Sequence, residues 1–560
     1  MPTPADQPAP TSAVATKPEV PPPGSKGPGG PTPLPPVLGP WPRLSVWGHS
    51  WPGPGRPAAP ATVWSLLAAA AVAAISVPLS RGGAGWLVAA VAGVAALTVA
   101  RLVPQRPSGG PPPLVAGPPR ALDPARHVWA VATVLLIAVG TVRAAGWLFV
   151  LCLLAAVLTG ALAVAGGPTS RSLARVLLLA VCALFRAVPW VGRGVLTDRP
   201  SGPAADNEPG VQSPGDSGRG SGGLRVGVTV AVSLALLVVF GGLFASADAA
   251  FAGLLEDVVP NVDAVTVVRW VFVFVVAGGV LGGAAYLRAA PPTDGRSVRV
   301  RRRVRRLEWA MPLSLLVVLF AVFVGVQLTV LFGGAQHVLV TEGLTYAEYA
   351  RGGFWQLLVI TGLTLLVLAG AARWAPRDTR ADRVLIRVVL GALAVLTLVI
   401  VASALHRMDL YADTYGLTRL RVLVMLCEAW LGAVFLMILG AGVRLRAAWL
   451  PRAVVAAGVL ALLGLAAANP ERLIADRNIA RFEQTGSIDT AYLATLSADA
   501  VPALDRLPPG QRACAIAPIA RRLTGGPDDW RGWNLGREQA RELLADRAPG
   551  REVGCPAVRY

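Results

Sequence analysis

Residues 383–441 read RVLIRVVLGALAVLTLVIVASALHRMDLYADTYGLTRLRVLVMLCEAWLGAVFLMILGA. This stretch contains two apolar blocks, 383–405 and 421–441, which are separated by a short polar segment. A helix of about 20 apolar residues crosses the roughly 30 Å hydrocarbon core of a bilayer. The two blocks are therefore predicted to be neighbouring membrane spans.

Blocks of this length recur through the whole chain, which is 560 residues long, 54% hydrophobic and only 15% charged. Soluble domains carry about 25% charged residues, so this composition excludes a disordered chain and argues against an ordinary soluble enzyme. We predict an all-α fold, a polytopic helical membrane bundle of about 11 spans. The predicted spans are 61–80, 84–103, 127–142, 144–165, 225–247, 266–288, 309–333, 354–374, 383–405, 421–441 and 450–468.

Four regions follow from this pattern. Residues 1–60 hold 19 of the 48 prolines and are predicted to be a disordered tail, because such a stretch buries too little apolar surface. N-terminal membrane helices occupy 61–224, a membrane core occupies 225–468, and a small helical module occupies 469–560. No apolar segment of a cleavable signal peptide follows the start, so the first span is expected to direct insertion.

The segment 173–196 is apolar but carries Arg175, Arg186 and Arg193. An arginine at the bilayer centre costs at least about 2.5–3.5 kcal/mol. We therefore predict an amphipathic helix in the membrane interface, with Trp190 as its anchor. A twelfth span is the alternative.

The formal net charge of +19 lies mainly in short loops between apolar blocks, so it indicates topology, and no nucleic-acid partner is expected. The run Arg296–Arg306 holds seven arginines and is predicted to be cytoplasmic, where it sets topology or also binds anionic lipid. The loop 248–265 has four acidic residues and no basic one, and is predicted to lie outside. The chain is thus expected in a bacterial cell membrane, with a cytoplasmic N-terminus and an extracytoplasmic C-terminus. The lipid bilayer is its one expected partner, and no protein partner is identified.

Lysine occurs only at Lys17 and Lys26. This excludes a phosphate-binding loop, and it excludes a lysine-based mechanism in the membrane region. The sequence also lacks HExxH, CxxC and GxSxG patterns. No cofactor and no metal are predicted, and no catalytic residue is assigned.

Polar chemistry gathers in two predicted outer loops, 333–356 and 406–421, and at Glu428, which lies about 10 Å inside a span. A carboxylate at that depth is costly and by default indicates a functional site. We predict that the loops and Glu428 bound an outward-facing polar pocket. Its candidate residues are Glu428, His406, Arg407, Asp409, Asp413, Tyr346, Glu348, Tyr349, Arg351, Tyr411 and Tyr415.

Each part of this pocket has a structural alternative. If the second loop is helical up to Gly416, its histidine and two aspartates share one face, which suits a metal or a proton relay or is simply solvated. Its arginine and two tyrosines share another face, which suits an anionic headgroup or a sugar, or forms an aromatic belt. Glu428 carries a proton or charge, or makes a structural hydrogen bond between helices.

The module at 469–560 contains Cys514 and Cys555, which are predicted to form a disulfide because this region lies outside the cytoplasm. Pro470, directly after an asparagine, predicts a helix start. The residues expected to cover the pocket from this side are Arg472, Asp476, Asn478 and Arg481.

Three segments carry a family resemblance: LTYAEYARGGFWQ, HRMDLYADTYGLTRLR and NPERLIADRNIARF, the last followed by IDTAYLATLSADAVPAL. Together they resemble bacterial polytopic membrane proteins that carry domain of unknown function 4173, over roughly residues 225–510. The arginine-rich, lysine-poor composition is similar to that of actinobacterial proteins. The resemblance implies a multi-pass inner-membrane protein without an established activity, and it transfers no catalytic residues.

Three functions remain open at this point. The first is a non-enzymatic integral membrane protein, transporter-like or envelope-associated, whose pocket would continue toward the middle of the membrane. The second is a membrane-embedded enzyme for a lipid-linked or cell-envelope substrate, which requires converging carboxylates. The third is a sensor or scaffold that binds a partner through the C-terminal module, which requires a closed bundle and an exposed apolar patch on that module.

Overall fold

The structure, a computed structural model, describes most of the membrane region and of the C-terminal module. The described residues are 57–102, 124–165, 173–196, 264–291, 305–332, 354–376, 378–444, 447–524 and 528–550, with short pieces at 45–46, 49–50, 53–54, 240, 244 and 554–555. Most of the predicted tail 1–60 lies outside these ranges. Within it, Ser45–Val46 (β1) and His49–Ser50 (β2) form a small antiparallel pair.

Eleven α-helices precede the module in the described ranges. They are α1 (Pro60–Ser76), α2 (Ala84–Leu102), α3 (Pro124–Val142), α4 (Gly146–Ala165), α5 (Leu173–Leu196), α6 (Ala264–Ala289), α7 (Arg306–Phe332), α8 (Phe354–Trp374), α9 (Arg380–Tyr415), α10 (Arg419–Arg444) and α11 (Leu450–Ala468). Among the described residues, ten helices are long and apolar enough to cross a membrane, and α1 is shorter at 17 residues. The predicted all-α polytopic bundle is confirmed. The predicted span 225–247 lies outside the described residues except for two helical positions.

Helix α9 runs for 36 residues without a break, which is about 54 Å at 1.5 Å per residue and exceeds the hydrocarbon core. It begins with a capping box, in which the side chains of Thr379 and Asp382 accept each other's backbone N–H groups. It ends at Gly416, the predicted C-cap, where φ is +82°. A Cβ at Gly416 would lie 2.2 Å from Oδ1 of Asn478 in the module, so only glycine fits there. The predicted span 383–405 therefore continues as one helix through the second polar loop.

The first four helices form two antiparallel hairpins whose turns lie at the same end of the bundle. In α3–α4 the helices are close enough that a Cβ at Gly140 would lie 2.5 Å from the ring of Phe149. The turn of α1–α2, at 77–83, and the turn of α3–α4, at 143–145, both contact the C-terminal module. We call this the module end of the bundle.

Helix α5 contacts the opposite end of the bundle with both of its own ends. Near its start, Val176 shares an apolar cluster with Ala165, the last residue of α4. Near its end, the carbonyl of Trp190 accepts from the N–H of Ala58 at 3.5 Å, and its ring packs edge-on against Tyr286 at a centroid distance of 5.8 Å. Length and composition alone admit α5 as a span, whereas these contacts run across one end of the bundle.

The C-terminal module is a compact group of short helices. They are α12 (Pro470–Thr485), α13 (Thr490–Leu493), α14 (Val501–Leu504), α15 (Pro509–Leu523) and α16 (Leu535–Asp546), with a 3-10 turn at Ala498–Ala500. Asn469 ends α11 with φ of +52° and also caps α12, because its side chain accepts from the N–H of Arg472 at 3.3 Å. The predicted helix start at Pro470 is confirmed, and α11 turns directly into the module.

The largest apolar cluster of the described residues does not stop at the membrane region. It includes Leu136 and Leu148 of the first hairpins, Val459 of α11, and Ile474 and Leu496 of the module. Burial of apolar surface is the main favourable term in folding, at about 25 cal/mol per Å². The module and the α3–α4 hairpin therefore share one core.

Candidate functional site

Four candidates for the predicted pocket lie in the first polar loop, outside the part of the chain that the structure describes. They are Tyr346, Glu348, Tyr349 and Arg351. Their place in a pocket stays a prediction.

The arginine run Arg296–Arg306 is described only at its last two residues. Arg306 forms an ion pair with the buried Asp382 and donates to Oγ1 of Thr379 at 2.8 Å. This arginine therefore joins the first turns of α7 and α9 at the end of the bundle that faces away from the module.

The histidine and two aspartates of the second loop lie on the last turns of α9 with exposed side chains. They are His406, Asp409 and Asp413. In the described ranges, no group of three or more His, Cys, Asp or Glu side chains is arranged to hold a metal ion. The role of this face stays a prediction.

Arg407 of α9 contacts a neighbouring span. Its guanidinium donates to Oε1 of Gln327 in α7, and Oγ of Ser403 donates to the same oxygen at 3.5 Å. Such a contact satisfies polar side chains between helices inside the membrane. It ties α7 to α9.

Tyr411 and Tyr415 lie together, with ring centroids 5.0 Å apart. The guanidinium of Arg421 lies 4.2 Å above the ring of Tyr411 and donates to the carbonyl of Gly416. This cation–π contact stabilises the turn between α9 and α10. The sequence analysis missed Arg421 because the residue stands at the boundary of a predicted span.

Glu428 lies within α10 and is 1% exposed. Its neighbours at helical spacing, Val424, Leu431 and Phe435, are buried apolar residues. Among the described residues, neither carboxylate oxygen of Glu428 has a hydrogen-bond partner. The exposed acids of α9 and this enclosed acid therefore do not share hydrogen bonds in the described part of the chain.

A different carboxylate, Glu471 in the first turn of α12, is fully buried and binds several donors. Its Oε2 accepts from Nη2 of Arg419 at 2.9 Å and from the backbone N–H of Ser497, and its Oε1 accepts from Nε1 of Trp147 at 2.8 Å. The backbone N–H of Arg419 also donates to the hydroxyl of Tyr492 at 2.7 Å, and burial raises the pKa of this phenol. One carboxylate thus connects α4, the α9–α10 turn and the module.

Asp499 caps a membrane helix from the module. Its Oδ2 accepts from the N–H groups of Ala144 at 2.7 Å and Ala145 at 3.1 Å, directly before α4 begins, and from Oγ of Ser497 at 3.3 Å. Carboxylates stabilise helix N-termini, where backbone donors lack partners. Burial raises the pKa of Asp499 to about 6, although the two backbone hydrogen bonds act in the opposite direction.

Helix C-termini at the module end are also satisfied by side chains. Nδ2 of Asn534 donates to the carbonyls of Gly140 and Arg143, each at 2.9 Å. Arg143 in turn donates to the carbonyls of Ala466 at 2.6 Å and Ala467 at 3.1 Å, at the end of α11. We call Glu471, Asp499, Asn534 and their partners the joint.

A second ionic cluster connects the module to the α1–α2 turn. Asp528 accepts from Arg81 at 2.6 Å and from Arg537 at 2.7 Å, and lies 3.3 Å from Arg541. Burial alone would raise the pKa of Asp528, but the hydrogen bond from Arg537 and the three positive charges hold it below its ordinary value. Arg537 also donates to the carbonyl of Gly82 at 3.1 Å.

Two of the residues expected to cover the pocket contact the α9–α10 turn. Nδ2 of Asn478 donates to the carbonyl of Leu417 at 2.8 Å, and Nε of Arg481 donates to that of Thr414 at 3.0 Å. The other two, Arg472 and Asp476, form an exposed ion pair.

Cys514 and Cys555 are joined by a disulfide with a Cα–Cα distance of 5.4 Å. They are the pair that the sequence analysis expected to bond. The link closes a loop that contains Asp528 and α16, so it holds this part of the module in one covalent ring.

The sequence analysis missed the residues of the joint. Glu471 resembles an ordinary acid in the first turn of a helix, and Asp499 and Asn534 resemble local helix caps. The capping signal is present in the sequence. The sequence does not show which groups these side chains bind, because Trp147 lies 324 residues before Glu471 and Ala144 lies 355 residues before Asp499.

Residues 131–507 match the protein-family model described as Domain of unknown function (DUF4153). The matched segment includes Trp147, Arg419, Glu471 and Asp499, and it therefore covers both sides of the joint. Neither the curated proteins nor the solved structures give a match.

We expect Glu471→Gln to lower the free energy of unfolding by about 3 kcal/mol, because removal of one charge of a buried pair strands its partner and Arg419 is only partly exposed. The amide would also place a donor against existing donors. The matched control is Asp476→Asn, whose exposed ion pairs contribute at most about 1 kcal/mol. Thermal unfolding of the purified chain in detergent measures both variants, and equal midpoints would contradict the assigned role of Glu471.

The raised pKa of Asp499, about 6 against an ordinary 3.8, predicts a pH-dependent stability. The folded protein binds this proton more tightly than the unfolded chain, so the contribution is complete below about pH 4 and is lost as the pH rises through about 6. The total is about 3 kcal/mol. Thermal midpoints from pH 4 to pH 8 should fall more steeply with pH for the native chain than for Asp499→Asn, and parallel curves would refute the assignment.

Proposed function

Because this chain belongs to the family of the domain of unknown function DUF4153, whose description names no activity, we propose a function from the geometry of the joint. The chain is an integral membrane protein, and we infer that it acts as a non-enzymatic, envelope-associated scaffold. In this proposal the membrane bundle holds the C-terminal module in one fixed orientation.

The observation that carries this proposal is the complete burial of Glu471 among donors from α4, the α9–α10 turn and the module. A buried carboxylate is tolerated when its lone pairs are satisfied. Separation of the module would expose or strand this charge, so the joint favours one docked state. The family match supports the same view, since it extends across the joint.

The enzyme alternative receives less support from the described residues. Its acids would have to converge on one groove, but Asp409 and Asp413 are exposed on α9 and Glu428 is enclosed within α10. The transporter-like alternative has one specific observation in its favour. A carboxylate inside a span, without a hydrogen-bond partner in the described part of the chain, is a natural site for a proton or a cation.

We further propose that the module end faces away from the cytoplasm and that the N-terminus is cytoplasmic. The disulfide supports this orientation, because such bonds persist outside the cytoplasm. In the same proposal α5 lies in the inner interface and Arg296–Arg306 contacts anionic lipid. Three further statements stay predictions: a closer relation to proteins with domain 4173, an actinobacterial origin, and the division into four regions at residues 60, 224 and 468.

The proposed orientation predicts that alkaline phosphatase fused after Tyr560 is active, because this enzyme requires an oxidising compartment for its disulfides. A cytoplasmic reporter at the same position should be inactive. A fusion after Leu102, at the end of α2, is the matched control and should give the reverse pattern. A cytoplasmic signal from Tyr560 would refute the orientation.

The scaffold and transporter proposals predict opposite results in a strain that lacks this chain. Under the scaffold proposal, the Glu428→Gln variant and the control variant Asp476→Asn should each correct any growth or envelope-permeability defect of that strain. The Glu471→Gln variant should not correct it. Immunoblots check that each variant reaches the membrane in equal amount. Failure of Glu428→Gln together with full restoration by Glu471→Gln would reject the scaffold and favour proton-coupled or cation-coupled transport.

A further inference from the structure

The segment 528–535 of the module lies beside the first turn of α2. The carbonyl of Trp533 accepts from the N–H of Ala84 at 3.0 Å, and the carbonyl of Arg531 accepts from the N–H of Gly85 at 2.9 Å. These bonds satisfy two of the backbone donors that a helix N-terminus leaves without a partner. They place the segment at the level where α2 begins.

This placement is tightly held. A Cβ at Gly83 would lie 2.6 Å from the carbonyl oxygen of Arg531, so the two backbones meet with no space for a side chain. On the other side, Asp528 is bound by Arg81 and Arg537. These contacts fix the position of the segment 528–535 along the axis of α2.

The large apolar side chains of the segment are exposed, whereas its polar anchors are buried. Trp530 is 53% exposed, Trp533 is 41% exposed and Leu535 is 37% exposed. Asn534, which lies between the last two, is 1% exposed because it binds the end of α3. These two indoles, which the described residues of this chain cover only in part, are the exposed apolar patch of the segment.

The level of this patch indicates its partner. Helix α2 is an apolar helix of 19 residues that starts at Ala84, so the boundary of the hydrocarbon core lies near that residue. Leu79 in the turn and Val88 in the first turns of α2 are themselves exposed apolar residues. Tryptophan is enriched at this boundary because its ring is apolar and its N–H is polar.

We propose that Trp530 and Trp533 insert into the headgroup–acyl boundary of the leaflet at the module end, so that the module binds the lipid surface directly. The guanidinium of Arg531 lies 5.8 Å from the ring centroid of Trp530, and its Nε lies 3.9 Å from Oδ2 of Asp529, so this arginine is paired within the segment. The module is thus attached twice, through the joint to the bundle and through this segment to the lipid.

The test uses the full chain in vesicles of phosphatidylethanolamine and phosphatidylglycerol, with the photocrosslinker p-benzoylphenylalanine at Trp530 or Trp533. The matched control carries it at Gln484, an exposed residue in the last turn of α12, near the part of α9 that extends beyond the hydrocarbon core. Mass spectrometry should detect lipid adducts at positions 530 and 533 in severalfold higher yield than at 484. The photocrosslinker at Leu535 gives a second position if either tryptophan replacement prevents folding.

Equal lipid yields at the three positions would overturn the inference. So would adducts at 530 and 533 that consist of protein, either a second copy of the chain or another partner. This inference does not depend on the scaffold proposal, because the joint and its Glu471 variant are unaffected by the outcome at Trp530.

Discussion

The ends of membrane helices impose the constraint on which this structure depends. Each helix leaves its first backbone N–H groups and its last carbonyls without partners inside the helix. Near the hydrocarbon boundary, water satisfies such groups only in part, and an unmet group is costly. In this chain the module supplies the partners. Asp499 caps the start of α4, Asn534 binds the end of α3, and Arg531 and Trp533 accept from the start of α2.

This constraint explains why, among the described residues, so many buried polar groups meet at the joint. Glu471 is satisfied by three different parts of the chain, and Arg143 extends the same network to the end of α11. The network is assembled around helix ends and not around a cavity. Its geometry suits rigid attachment, since Glu471, Asp499 and Asn534 each bind groups of the membrane helices.

Hydropathy predicted the helices well, because bilayer thickness limits how long an apolar block must be. The bounds of α8 and α11 match the predicted spans residue for residue. The cap at Gly416 was also predictable, since a glycine after a polar helical face is a common stop signal. The extension of α9 beyond its apolar block was predicted only conditionally, because a solvated helix of ten residues gives no hydropathy signal.

The joint was beyond prediction for a physical reason. A buried carboxylate such as Glu471 is recognised only by its environment, and that environment comes from residues far away in the chain. The requirement for glycine at position 416 likewise depends in part on a residue far away in the chain. Gly416 is required both by its own φ of +82° and by Asn478, which packs against it from the module. Local rules identify the turn, while the tertiary contact explains why no side chain is accepted.

The module follows the membrane helices in chain order, and this order has a consequence for biosynthesis. Asp499 is made 355 residues after its partner Ala144, and Asn534 is made 394 residues after its partner Gly140. Until then, these ends of α3 and α4 lie in the nascent bundle without the partners that the module supplies. Synthesis of the module then supplies the hydrogen-bond partners of these helix ends. A product shortened by a premature stop codon before Asp499 would keep its spans but lack the partners of these helix ends.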